Sequence, residues 1–225
     1  MIANNLKNIR QRIANVCQRS GRKADEITLI AVSKTVTADL IREAVRSDIL
    51  DFGENYVQDL RAKKEALNDI PIRWHFIGHL QSNKVKYIAD WIYLIHAVDT
   101  IELASEISKH AGRLDRNIDI LVEVNTSDEK SKFGLSVKDA TDFVRRIADI
   151  KNLSVSGLMT MGPFSPDPED SRAGFRRLRQ IKESLESDGY RLPILSMGMT
   201  NDFEVAIEEG ATMLRVGTAI FGERK

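Results

Sequence analysis

The sequence is poor in cysteine, with Cys17 the single one in 225 residues. That excludes an intramolecular disulfide and fits a reducing compartment. An excess of one charge sign is also missing, since Lys+Arg and Asp+Glu both number 33. A zero formal balance offers no bulk attraction to nucleic acid or to an anionic membrane. No run of about 18 apolar residues occurs, so no membrane span is expected. The N-terminal stretch has no unbroken apolar centre and does not read as a secretory signal. Of the five prolines, three fall in "GPFSPDPEDS" (162–171), the longest loop in the pattern and a candidate lid. No linker, low-complexity tract or composition break divides the chain. The expectation is one cytoplasmic domain over 1–225, monomeric because no exposed apolar helix face stands out.

What is present is an alternation. Ile2, Leu6, Ile9, Ile13 and Val16 recur at spacings of three and four, which predicts an amphipathic helix over 1–20 packed on the rest. Cys17 falls on one side of it as a small packed hydrophobe. Eight short apolar runs follow: "ITLIAVS" (27–33), "ILDFG" (49–53), "RWHFIG" (73–78), "WIYLIHAV" (91–98), "IDILVEVN" (118–125), "LSVSGLMT" (153–160), "PILSMG" (193–198) and "TMLRVG" (212–217). Helical spacing lies between them, for example over 38–46, 101–112, 137–150, 169–188 and 202–209. Thr37 and Ser136 stand where they can cap two of these helices. Strands alternating with helices imply parallel pairing with right-handed crossovers. Eight units match a single (β/α)8 TIM barrel with an extra N-terminal helix, and a doubly wound open sheet also suits the alternation.

In such a barrel the chemistry gathers where strands end. The residues that follow the runs are Lys34; Glu54 and Asn55; His79, with His75 earlier in the same run; Asp99; Asn125 and Thr126; Met159 and Thr160; Ser196, Gly198 and Thr200; and Arg215, Gly217 and Thr218. An anion site needs convergent backbone N–H groups, short hydroxyl side chains and no Cβ in the way. "SMGMTND" (196–202) and "RVGTAIFG" (215–222) offer this on the last two runs: Gly198 and Gly217 allow close approach, and Ser196, Thr200 and Thr218 supply hydroxyls. Ordinary strand-to-helix turns use the same residue types. Lys34 ends the first run. It reads either as a solvated rim charge or as an amine that forms a Schiff base with a carbonyl. A carbonyl compound that also carries a phosphate unites the two sites, and pyridoxal 5′-phosphate (PLP) has both groups on one ring.

Seven ordered blocks carry a resemblance over nearly the whole chain: "AVSKT" (31–35), "FGENYVQ" (52–58), "WHFIGHLQSNK" (74–84), "VNTSDEKSKFG" (124–134), "GLMTMGPF" (157–164), "LSMGMTND" (195–202) and "RVGTAIFG" (215–222). The chain resembles the PLP homeostasis protein family, small PLP-binding barrels similar to the N-terminal domain of alanine racemase. The resemblance implies a fold type III PLP barrel with PLP held as a Schiff base on Lys34. It implies Arg215 facing the pyridine nitrogen, and Ser196, Thr200, Gly217 and Thr218 holding the phosphate. Asn55 and Met159 are expected beside the ring, with His75 and His79 nearby. "MGMTND" departs from the more common "MGMSxD"; Thr200 keeps the hydroxyl, and Asn201 weakens any role for an acid there.

An arginine at the ring nitrogen disfavours its protonation and so weakens carbanion stabilisation. The chain is also expected to lack a second domain that delivers a racemase tyrosine; its own are Tyr56, Tyr87, Tyr93 and Tyr190. The reading is a PLP carrier in vitamin B6 homeostasis without robust catalysis, with PLP-dependent apoenzymes as possible transient recipients. The alternatives are a weak PLP-dependent amino-acid racemase and an aldolase-like use of Lys34 without PLP. The remaining features read as structural. His75 and His79 on a strand end do not share a helical face, so no metal site is expected. "DEKSKFG" (128–134) reads as a solvated loop with Phe133 folding inward. Lys84 reads as a surface helix charge with a second, transient PLP position as the other possibility, and the charges of "RAGFRRLRQIK" (172–182) spread around a helix.

Overall fold

In the computed structural model, which describes residues 1–127, 129 and 133–222, the chain opens with helix α1 (Ile2–Arg19). Strands β1 (Thr28–Val32), β2 (Asp51–Glu54), β3 (Arg73–Phe76) and β4 (Leu94–Val98) follow. Next come β5 (Ile118–Asn125), β6 (Leu135–Ser136), β7 (Leu153–Met159), β8 (Ile194–Ser196) and β9 (Met213–Val216). The connecting helices are α2 (Ala38–Val45), α3 (Val57–Ala66), α4 (Ile101–Arg113), α5 (Val137–Ile147), α6 (Arg172–Ser187), α7 (Phe203–Glu208) and α8 (Thr218–Phe221). Between β3 and β4 the crossover carries only a 3-10 helix, Ser82–Tyr87.

The pairing runs β4-β3-β2-β1-β9-β8-β7-β5, and β4 also pairs with β5, so eight parallel strands close on themselves. This is the (β/α)8 barrel, and the open-sheet alternative is excluded by the closing pair. A ninth strand, β6, adds only a parallel two-residue pairing outside β5. Helix caps explain part of the boundary pattern. Ser136 Oγ accepts from Asp139 N and starts α5, whereas Thr37 stands at the start of α2 without a side-chain cap bond.

Two apolar layers hold the barrel. The outer one lies between strands and helices, and it takes the buried face of α1 (Ile2, Leu6, Ile9, Ile13, Val16, Cys17), which packs against α2, α7 and α8. The inner one fills the lumen with Ile30, Leu94, Ala97, Leu121, Met159 and Met213. Strand side chains alternate in direction. The same alternation that sends Leu94, Leu121 and Met213 inward therefore sends in the residues two further on, His96, Glu123 and Arg215, all buried. Among the described residues no helix is long and apolar enough to cross a membrane.

Candidate functional site

The carboxyl end of β1 is pinned by its neighbours. Lys63, from α3, donates to the Ser33 carbonyl at 2.6 Å and pairs with the fully buried Glu54 at the end of β2. The Ser33 hydroxyl bonds Gly53 O and Glu54 Oε1, each at 3.2 Å. The buried acid at the end of β2 is thus matched by Lys63. Half-buried Lys34, one residue on, enters no ion pair among the described residues; its Nζ lies 5.4 Å from the Tyr56 ring centroid. Thr35 follows at φ +64°, rare for a β-branched residue, and turns the chain away directly after the lysine.

The junctions after β8 and β9 meet beside it, for β1 pairs with β9. Gly198 has φ +93°, and a Cβ there would stand 2.6 Å from Ala206 Cβ and 2.9 Å from Phe203 Cα. Only glycine lets the backbone take this bend against α7. Met199 N donates to Asp202 Oδ1 at 2.6 Å, which shapes the turn. The Thr218 hydroxyl donates to Thr200 Oγ1 at 3.1 Å and ties the two junctions together at the rim, with half-buried Gly217 adjacent.

Arg215 points into the lumen, buried, with Nη1 on Ser196 Oγ at 2.5 Å and Nη2 on Thr160 O at 2.8 Å. Burial pulls its pKa down to about 10 while Glu123 and Asp202 pull the other way, so it stays charged at neutral pH. Met159, the last residue of β7, lies in the apolar lumen. Glu123, near the end of β5, is pushed up to about 7 by burial, with the charge of Asp99 adding to the rise and Arg215 opposing it.

A cavity of about 560 Å³ opens across the rim, lined among others by Asn55, His79, Lys84, Glu123, Phe133 and Met161. Gly78 is required here, since a Cβ would sit 2.4 Å from the Asn55 carbonyl. Among the described residues, the Asn55 side-chain oxygen is buried without a partner, and so is Asp99 Oδ1. A buried acceptor left open in a cavity wall suits a site that completes its hydrogen bonds with a ligand.

The structure thus brings Lys34, Asn55, Met159, Gly198, Thr200, Arg215, Gly217 and Thr218 to one end of the barrel. Two predicted members lie deeper. His75 is fully buried and bonded to Asp51 and His96, and Ser196 is fully buried with its hydroxyl between His96 and Arg215. Phe133 does not fold inward as expected: it is 55% exposed and stacks on His79 at 4.1 Å, because the flat His79 ring offers it a partner at the rim. The rest of the 128–134 reading, positions 128 and 130–132, lies outside the described residues. Lys84 sits half-buried on the 3-10 helix and lines the cavity. Asp51, Lys63, His96 and Glu123 were not singled out as site residues; their signal was a polar residue inside or behind an apolar run.

Residues 4–225 match the family model described as the alanine racemase N-terminal domain. A pyridoxal phosphate homeostasis protein of Aquifex aeolicus is 44% identical, over 98% of this chain and 97% of its own length. Its counterpart from Escherichia coli K12 is 37% identical, over 99% and 97%. PipY of Synechococcus elongatus, solved with PLP bound, superposes with a TM-score of 0.87 at 33% identity, covering 99% of this chain and 100% of that one. An unknown protein from Bifidobacterium adolescentis superposes at 0.93 with 34% identity, covering 98% and 94%. An alanine racemase of Clostridium difficile, 14% identical with a TM-score of 0.74, shares the fold over 98% of this chain and 57% of its own.

Proposed function

Because this chain belongs to the alanine racemase N-terminal domain family, and within it to the pyridoxal phosphate homeostasis proteins, we propose that it binds PLP on Lys34 and serves cofactor supply rather than catalysis. It does so as a single-domain cytoplasmic monomer, with PLP-dependent apoenzymes as transient recipients.

The observation that carries the reading is the position of Lys34: an amine without an acidic partner among the described residues, beside two tied hydroxyl-bearing junctions. PLP, when bound, supplies an aldehyde for an amine to capture and a ring that can delocalise electrons. The Lys34 nitrogen attacks that aldehyde carbon and expels its oxygen as water. Thr200, Gly217 and Thr218 hold the phosphate, Gly198 gives it room, and Asn55 offers its open acceptor beside the ring. Arg215, a buried fixed cation, faces the ring nitrogen and opposes its protonation. The ring is then a poor electron sink, which favours holding and release over carbanion chemistry. Adding PLP to the purified protein is expected to raise an absorption band near the visible region that Lys34→Ala abolishes. An unchanged band in Lys34→Ala, or none in the wild type, contradicts the proposal.

A further inference from the structure

A chain of buried polar groups crosses the barrel interior from one end to the other, and its donors can be assigned one at a time. Asp51, at the start of β2, receives Arg73 Nε on Oδ1 at 2.7 Å and Nη2 on Oδ2 at 2.5 Å. A carboxylate so held only accepts, so the 3.0 Å contact with His75 Nε2 places a proton on that nitrogen. Neutral His75 then accepts at Nδ1, and His96 Nε2 must donate across their 3.0 Å contact. Neutral His96 accepts at Nδ1 in turn, so the Ser196 hydroxyl donates there at 3.0 Å. Arg215, which can only donate, completes the series on Ser196 Oγ. With both rings neutral, one arrangement of protons satisfies every contact, and every donor points toward Asp51. The opposite arrangement would aim a bare His75 nitrogen at a carboxylate.

The neutrality of both rings has a physical cause. Burial drives His75 below its ordinary value, with the Asp51 carboxylate pulling the other way and Arg73 adding to the drop. Burial drives His96 well below, with a proton on His75, when present, and the Arg215 charge adding. The groups facing His75 are Asp51 from β2, Arg73 on its own strand, the Tyr93 ring with centroids 5.2 Å apart, and His96 from β4. His96 faces His75, Ser196 and Arg215, and Arg215 in turn feels Glu123 and Asp202.

We propose that His75 and His96 are positioning residues that commit the Ser196 hydroxyl to the interior, so that Ser196 anchors Arg215 instead of gripping the cofactor's phosphate. The claim rests on the proposed function only for what Arg215 faces; the relay belongs to the protein without ligand. Phosphate binding is then left to Thr200, Gly217 and Thr218. A proton added to His75 would reverse the series, turning both imidazoles into donors toward Ser196 and swinging its hydroxyl away from His96.

Nitrogen NMR of the ligand-free protein tests the relay directly. With the interior rings assigned through His79→Gln and His110→Gln, both should be neutral at pH 7 with the proton on Nε2. A proton on Nδ1 of either ring, or on both nitrogens, overturns the relay. Ser196→Ala then separates positioning from phosphate binding. Its affinities for PLP and for phosphate-free pyridoxal should fall by the same factor, about tenfold, as loss of an anchor on a charged group implies. A loss confined to PLP, or no loss for either, overturns the assignment of Ser196. If the wild type binds neither compound, the proposed function falls, and the ring-proton result alone decides the relay.

Discussion

Two buried carboxyls at opposite ends of the barrel, Asp51 and Glu123, are treated in opposite ways. At the amino end, the Asp51 carboxylate is fully matched by two bonds from Arg73 and one from His75. Burial pushes it up, but these bonds outweigh that and hold it below its ordinary range. At the carboxyl end, Glu123 has no such set among the described residues and is pushed up to about 7, while Asn55 and Asp99 each leave a buried oxygen open there. Satisfied groups close a structure, and unsatisfied ones mark where a ligand completes it. Asp51 is thus closed while Glu123, Asn55 and Asp99 stay open, although the carboxyl end also holds the matched pair Lys63–Glu54.

The comparison breaks most visibly at the matched end. Arg73→Met strands a buried carboxylate, and the cost is expected at about 3 kcal/mol, toward the low end for a broken pair because the Arg73 side chain is half exposed. Urea denaturation at neutral pH measures it. The sign with pH follows from the lowered carboxylate: its contribution is present above its unfolded pKa and is lost as pH falls through the folded one. The wild-type advantage over Arg73→Met should therefore fade in acid. A gap as large at pH 3 as at pH 7 would contradict the ion-pair account.

Glu123→Gln should act with the opposite sign. The folded carboxyl titrates near 7, above its ordinary 4.5, so its favourable contribution is full below 4.5 and is lost as pH rises through about 7. The variant should match wild type near pH 4 and exceed it at pH 8 by about 2–3 kcal/mol, if the glutamine finds room for its amide. Thermal melts at the two pH values suffice, and a variant less stable at pH 8 would show Glu123 to be matched after all. The smallest effect is expected for Asn55→Ala. Its open oxygen contributes little to the fold, so stability should move by less than about 0.5 kcal/mol while PLP affinity drops several-fold. A large loss of stability with affinity intact would remove Asn55 from the site.

Much of this was open to a reader of the sequence. Parallel strands covered on both faces appear as short continuous apolar runs, and all eight barrel strands did so. The two-residue β6 and the 3-10 crossover are too short to leave a period. Lys34, Asn55 and Arg215 were visible because strand ends are where polar residues stand out. Asp51, His96 and Glu123 were not, because each is one polar residue within or beside an apolar run. His75 and Ser196 were placed with the cofactor, yet their partners lie 24 and 100 positions away and meet only when the barrel closes.

The central claim is that the Lys34 amine takes the cofactor while Lys63 is spent on Glu54. Borohydride reduction of the PLP-loaded protein, followed by digestion and peptide mass analysis, tests it most directly. The account predicts one pyridoxyl phosphate group, on the peptide that contains Lys34. A label on Lys63 or Lys84 with Lys34 unmodified would contradict it.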